Sequence, residues 1–306
     1  MQQAASQPNL PPSGRPLSPK PESAPVAVAR LISSATRASS ALSIGLEPSP
    51  AYLPGGFEAN IAGYERFLRG IIDATADLAA AFKFNLAFFE SLGPEGAALL
   101  HRVRAAIPAG CFVIADAKRG DIGTTAEHYA RALFDGLNAD AATVNPLMGR
   151  DSADPFLSYT DRLTFFLVLT SNPGAADFLL QDGLYRRIAR SVAAWNTRGN
   201  CGFVVGATKP EQIAEIRGLA GDIPFLVPGI GAQGGELEAT ARLGRAAGAF
   251  QGLLFHVTRG VLPDKSDSGD PFEIIRAKAM KWRDSVSAAL EQPTKNSSGS
   301  QAHVGV

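Results

Sequence analysis

The sequence predicts a (β/α)8 barrel, on three observations. Eight short apolar runs recur along the chain, the segments between them carry helical periodicity, and polar residues gather at the carboxyl ends of the runs. Runs that are apolar throughout suit strands covered on both faces, as in a parallel sheet wrapped by helices. Eight strand–helix units without a long interruption favour closure into a barrel, with an open doubly wound sheet as the alternative.

In chain order the runs are ALSIGLE (41–47), AFKFN (81–85), CFVIADAK (111–118), AATVN (141–145), TFFLVLT (164–170), CGFVVGA (201–207), PFLVPGI (224–230) and AFQGLLFHV (249–257). Among the connecting segments, 95–107 places Leu99, Leu100, Val103 and Ile107 on one helical face, and 182–196 does the same with Leu184, Ile188 and Val192. The last helix is expected from Phe272 to about Glu291, closing the barrel exterior through Ile274, Ile275, Ala279 and Trp282. One barrel domain is thus expected over 27–292. Residues 1–26, rich in proline, serine and glutamine, and the polar stretch 293–306 lack the apolar material to offset ordering entropy and read as disordered tails.

Bulk properties narrow the function classes. Lys plus Arg and Asp plus Glu each total 29, so no net field draws the chain to nucleic acid or an anionic membrane. The longest apolar stretches fall far short of the about 20 residues that a membrane-spanning helix needs. Cys111 and Cys201, far apart and each beside a strand-like run, argue against a disulfide framework or a multi-cysteine metal site and fit a reducing cytoplasm. His101, His128 and His256 have no companion at metal-ligand spacing and read as structural.

The functional signal sits where a barrel keeps its site, at the carboxyl ends of the strands. Glu47 ends the first run, Lys83 lies in the second, Asp116 and Lys118 end the third and Asn145 the fourth; Ser171, Gln233 and Arg259 follow the fifth, seventh and eighth. Asp116 and Lys118, two apart on one strand, should share a face, with Lys83 in reach from the next strand and Asp121 in the Gly-containing turn beyond. Such charges could be a structural ion-pair network, since buried charges need partners. They could also hold a carboxylate substrate against Asp116 and offer the Lys118 ammonium to the carbon left as a carbanion when carbon dioxide departs, a reaction needing no electron-sink cofactor.

A second constellation is VPGIGAQGG (227–235), followed by HVTRGVL (256–262). Gly229, Gly231 and Gly234 satisfy the GxGxxG spacing of dinucleotide sites, but the acid expected about 20 residues later is replaced by Gly252, Leu253 and Leu254. Glycines after strand seven and an arginine after strand eight instead match the phosphate site that those two barrel loops commonly build.

Together, AFKFNLAFFE, DAKRGDIGTTAEHYA, TVNPLMGRDS, TSNPG, VPGIGAQGG and VTRG resemble the orotidine 5′-phosphate decarboxylase family, in its longer bacterial-type subgroup. The resemblance spans about 41–262 and implies a (β/α)8 homodimer that converts orotidine monophosphate to uridine monophosphate and carbon dioxide in pyrimidine synthesis, with neither metal nor organic cofactor. By motif position it implies that Lys83, Asp116 and Lys118 form a charged tetrad with Asp121 of the partner copy, and that Lys118 is the proton donor. It assigns Thr125 to the same trans contact, Ser171 to the pyrimidine, and Gln233, Arg259 and the backbone at Gly231 and Gly234 to the phosphate. Glu47 stands where the family carries Asp near the ribose. The rival readings are a sister barrel with the same D-x-K-x-x-D core and a magnesium-stabilised enediolate, for which the nearest acid to strand two is Glu90, and a non-catalytic phospholigand-binding barrel.

Overall fold

Each of the eight apolar runs becomes one strand of a closed parallel barrel. In a computed structural model describing residues 24–207, 210–230, 236–247 and 251–292, the strands follow one another around the barrel in sequence order. They are β1 (Leu42–Leu46), β2 (Ala81–Asn85), β3 (Phe112–Arg119), β4 (Ala141–Val144), β5 (Leu163–Leu169), β6 (Cys201–Val205), β7 (Phe225–Pro228) and β8 (Leu253–Val257). Closure is made by β8 against β1, with Leu42 opposite Phe255 and Ser43 opposite His256. The barrel is therefore the outcome, not the open sheet.

The helices are α1 (Val26–Ala38), α2 (Ile61–Thr75), the short α3 (Leu86–Glu90), α4 (Gly93–Ala106), α5 (Gly123–Arg131), α6 (Arg150–Leu157), α7 (Leu184–Trp195), α8 (Pro210–Ala220), α9 (Leu237–Gly244) and α10 (Pro271–Glu291). Their buried faces follow the sequence periodicity with small shifts. Leu99, Leu100 and Val103 are buried in α4, and Ile188 and Val192 in α7, where Tyr185 takes the place expected of Leu184. In α10, Ile275 and Ala279 are buried while Ile274 and Trp282 are half-buried. Trp282 also donates its Nε1–H to the Gly260 carbonyl at 3.0 Å, tying the helix to the loop after β8.

Strand alternation divides the apolar residues into two clusters. The larger lies between strands and helices and includes Phe84, Val113 and Phe203. The smaller fills the lower barrel interior with Ile114, Phe165, Val204 and Leu254, and it continues into Ala27, Leu31 and Ala35 of α1. That helix plugs the barrel at the amino ends of the strands. Burying Leu31 there contributes roughly 1.5–3 kcal/mol, and this amino end is bolted by Asp140, which accepts from the Val113 N–H and pairs with Arg30 of α1 and with Arg162.

The eighth run expected from residue 249 enters the strand only at Leu253, because Gln251 and Gly252 take left-handed conformations, φ 54° and 64°, that turn the chain. The tails expected at 1–26 and 293–306 lie outside the described residues, apart from 24–26, where α1 begins. Both cysteines are buried thiols, and burial pushes that of Cys201 up to about 12. No helix among the described residues is long and apolar enough to cross a membrane.

Candidate active site

Above the apolar interior the same inward-facing positions turn polar. On β2 the sequence steps from Ala81 to Lys83, on β3 from Ile114 to Asp116, on β4 from Ala141 to Thr143, and on β8 from Leu254 to His256. These side chains line the base of a cavity of about 430 Å3 at the carboxyl mouth of the barrel. A closed wall of apolar strands thus ends in a cup whose floor carries charge.

Asp116 is the centre of that floor. Its Oδ2 accepts from Lys83 Nζ at 2.7 Å, and its Oδ1 accepts from Lys118 Nζ at 2.6 Å and from the Thr143 hydroxyl at 2.9 Å. Burial alone would raise the carboxyl pKa, but the charges and hydrogen bonds of the two ammonium groups outweigh it and hold Asp116 well below the usual carboxylate range. The two lysines are not equivalent. The Lys83 side chain is 5% exposed, whereas that of Lys118 is 49% exposed. Lys83 is therefore sealed behind the carboxylate, while Lys118 presents an ammonium to the cavity.

Simple strand alternation was expected to put Asp116 and Lys118 on one face; the physical route is different. The β3–β4 register shifts between Ala115 and Arg119, and Lys118 adopts φ 48°. A left-handed conformation at a residue with a Cβ costs on the order of 1–3 kcal/mol and persists only where the surroundings over-determine it. Here Thr143 does so, its hydroxyl oxygen accepting from the Lys118 N–H at 2.9 Å while its hydrogen goes to Asp116. One threonine on β4 thus fixes both the backbone and the counter-ion of Lys118.

Of the other expected residues, Glu47, Ser171 and Arg259 also line the cavity. Gly229 marks its rim in a left-handed conformation, φ 96°, whereas Gly231, Gln233 and Gly234 lie outside the described residues. Asn145 is drawn off to cap the turn that follows it, accepting from the Leu147 N–H at 3.1 Å. Asp121 accepts the Ile122 N–H at 2.8 Å, and Thr125 is exposed on α5; neither faces the cavity of its own chain. Glu90, the acid that a magnesium-dependent reading would require, is paired instead with Arg119 on the far side of β3.

Several cavity residues carry no conspicuous sequence signal. Thr143 hides in the bland run AATVN, where its only clue is being two residues after an inward-facing alanine. Tyr52, in the loop after β1, has its phenol pKa raised by burial and by Glu47, against the opposing pull of Arg259, so it stands in the field of both ends of the cavity. His256, expected to be merely structural, is buried in the cavity wall between Ser43 and Thr258. Burial and the nearby Lys83 charge push its pKa well down, so the ring is neutral at physiological pH.

Comparison with known proteins gives the family. Residues 41–270 match the model of the "Orotidine 5'-phosphate decarboxylase / HUMPS family". The chain is 47% identical over 257 residues to an orotidine 5′-phosphate decarboxylase of Azoarcus sp., covering 81% of this chain and 94% of the relative. It is 46% identical over 267 residues to one of Roseiflexus castenholzii, covering 85% and 97%. Among solved structures, the orotidine monophosphate decarboxylase of Leishmania donovani superposes with a TM-score of 0.75 at 38% identity, over 86% of this chain and 98% of that one. The mouth of this barrel, with a buried aspartate held between two lysines, is thus built on a chain that belongs to the orotidine 5′-phosphate decarboxylase family.

Proposed function

We propose that the chain removes the carboxylate of orotidine 5′-phosphate as carbon dioxide, yielding uridine 5′-phosphate, with Lys118 protonating the vacated ring carbon. The observation that carries this reading is the asymmetry of the two lysines on Asp116, one sealed and one open to the cavity. A substrate carboxylate placed beside Asp116 is repelled by it, which destabilises the bound ground state relative to the carbanion. The Lys118 ammonium stabilises that carbanion and then supplies its proton. Lys83 keeps the aspartate charged and in place through the cycle.

Decarboxylation has to draw on more than one ion pair, since enzymes lower barriers by about 8–23 kcal/mol. The phosphate at the far end of the substrate is the natural handle, with Arg259, Gln233 and the Gly231–Gly234 backbone as its donors and Ser171 against the pyrimidine. Remote binding energy of this kind can be spent on organising the charged floor. The assignment is tested by mixing the protein with orotidine monophosphate and following the loss of orotate absorbance; an unchanged spectrum rules out the reaction.

The active unit in this reading is a homodimer. Asp121 and Thr125 turn outward from their own cavity, and apolar side chains are exposed beside them, Ile122 at 54% and, on the adjoining turn after β4, Leu147 at 58% and Met148 at 49%. A second copy would cover that surface and receive Asp121 and Thr125 into its cup. Complementation tests it: inactive Lys118→Ala and Asp121→Ala proteins recover activity on mixing if the site is shared, and stay inactive if Asp121 serves its own chain.

A further inference from the structure

Apart from the charged floor, the cavity wall contains a second line of polar groups along the β1–β8 seam. Ser43 pairs across the strands with His256, and its Oγ lies 3.2 Å from the ring Nδ1. The other ring nitrogen, Nε2, lies 3.2 Å from the Thr258 hydroxyl, which in turn lies 3.5 Å from Glu47 Oε1. Gly45 opens the way for this line. A Cβ there would overlap Thr258 Oγ1 and come within 3.1 Å of His256 Cε1, so only the missing side chain lets Thr258 lean across onto β1.

Counting hydrogens gives the line a direction. A carboxylate only accepts, so a hydrogen bond between Thr258 and Glu47 uses the single Thr258 hydroxyl hydrogen. The Thr258 oxygen then accepts from His256 Nε2–H, and the bare Nδ1 accepts from the Ser43 hydroxyl. This direction uses the neutral ring with its hydrogen on Nε2.

We propose that His256 and Thr258 are positioning residues for the sugar of the nucleotide. The Ser43–His256–Thr258 line holds the Glu47 carboxylate where it accepts from a ribose hydroxyl. Because Arg259 follows Thr258 directly, the same line fixes the sugar contact relative to the phosphate contact. The longer reach of Glu47 is thereby given a defined end point just beyond β8. This rests on the ribose role of Glu47 and the phosphate role of Arg259.

The test is binding calorimetry on the full-length protein with two probes, uridine 5′-phosphate and 2′,3′-dideoxyuridine 5′-phosphate. The quantity read is the ratio of their affinities. Loss of packing weakens both probes alike and leaves that ratio unmoved. Glu47→Gln, Thr258→Val and His256→Ala are each expected to shrink the preference for the ribonucleotide by about threefold to tenfold. Thr258→Ser should restore it, and Thr258→Val added to Glu47→Gln should shrink it no further. A wild-type ratio in Thr258→Val or His256→Ala, with the ratio lost in Glu47→Gln, overturns the positioning line alone. A wild-type ratio in Glu47→Gln overturns the ribose role of Glu47, and the line with it.

Discussion

Two buried aspartates, one at each end of the barrel, are held by pairs of cations and yet serve opposite ends. At the amino end Asp140 is 4% exposed and is held by Arg30, Arg162 and the Val113 N–H. At the mouth Asp116 is 9% exposed and is held by Lys83, Lys118 and Thr143. The cation chemistry differs. A guanidinium does not give up its proton in a protein, so two arginines make a permanent clamp; an ammonium can hand a proton on. The backbone differs too, since Arg30 sits in an ordinary helix while Lys118 is held left-handed over an open cavity. A buried, doubly paired carboxylate is thus no evidence of function until its partners and the space before it are known.

Substitutions should separate the two ends. Lys118→Ala is expected to cut turnover by at least about a thousandfold while uridine monophosphate still binds and the melting temperature hardly changes; near-normal turnover would remove the distinction at its root. Asp140→Ala should do the reverse. Removing the shared partner of Arg30, Arg162 and the Val113 N–H, with only the exposed Asp161 left to pair Arg162, should cost about 1–3 kcal/mol of unfolding free energy, with turnover of the remaining folded enzyme close to wild type. Proportionate loss of turnover would mean that the amino end and the mouth are coupled. Gly45→Ala sits between these extremes. Its methyl must displace Thr258, at a packing cost of about 1–3 kcal/mol, and the Michaelis constant should rise more than turnover falls.

Acid should weaken the mouth in two stages. The folded-state pKa of His256 lies well below its unfolded value of about 6.5, so the unfolded chain takes up that proton first and stability falls as pH drops below about 6.5, by up to about 1.4 kcal/mol per pH unit. His256→Asn should flatten the fall in melting temperature between about pH 6.5 and 5; an unchanged slope would show that the ring titrates freely. Asp116 contributes stability that is fully present above its unfolded value of about 3.9 and is lost only as pH falls further, through its depressed folded value.

Much of this was legible from residues alone. The eight runs became eight strands because continuous apolar runs of that length have few other ways to be buried on both faces. Lys83, Asp116, Lys118, Ser171, Glu47 and Arg259 met at one mouth because parallel strands place their carboxyl ends together. Other features had no local signature. The segment VAVARLISSATRA is amphipathic, but nothing in it says that its apolar face closes the amino end of a barrel. Thr143 and His256 look like ordinary strand residues until β3 and β1 are set beside them.

What the sequence by itself determined, then, is the barrel and the roster of charges at its mouth, since both follow from periodicity and strand-end position, which are properties of consecutive residues. Only the tertiary structure decided which charge would stand open to the cavity. The bulge that turns Lys118 left-handed, the Thr143 hydroxyl that holds it there and the gap at Gly45 that admits Thr258 all depend on contacts across strands. Residues 25 or more positions apart must be brought together before any of them has an energy to act through.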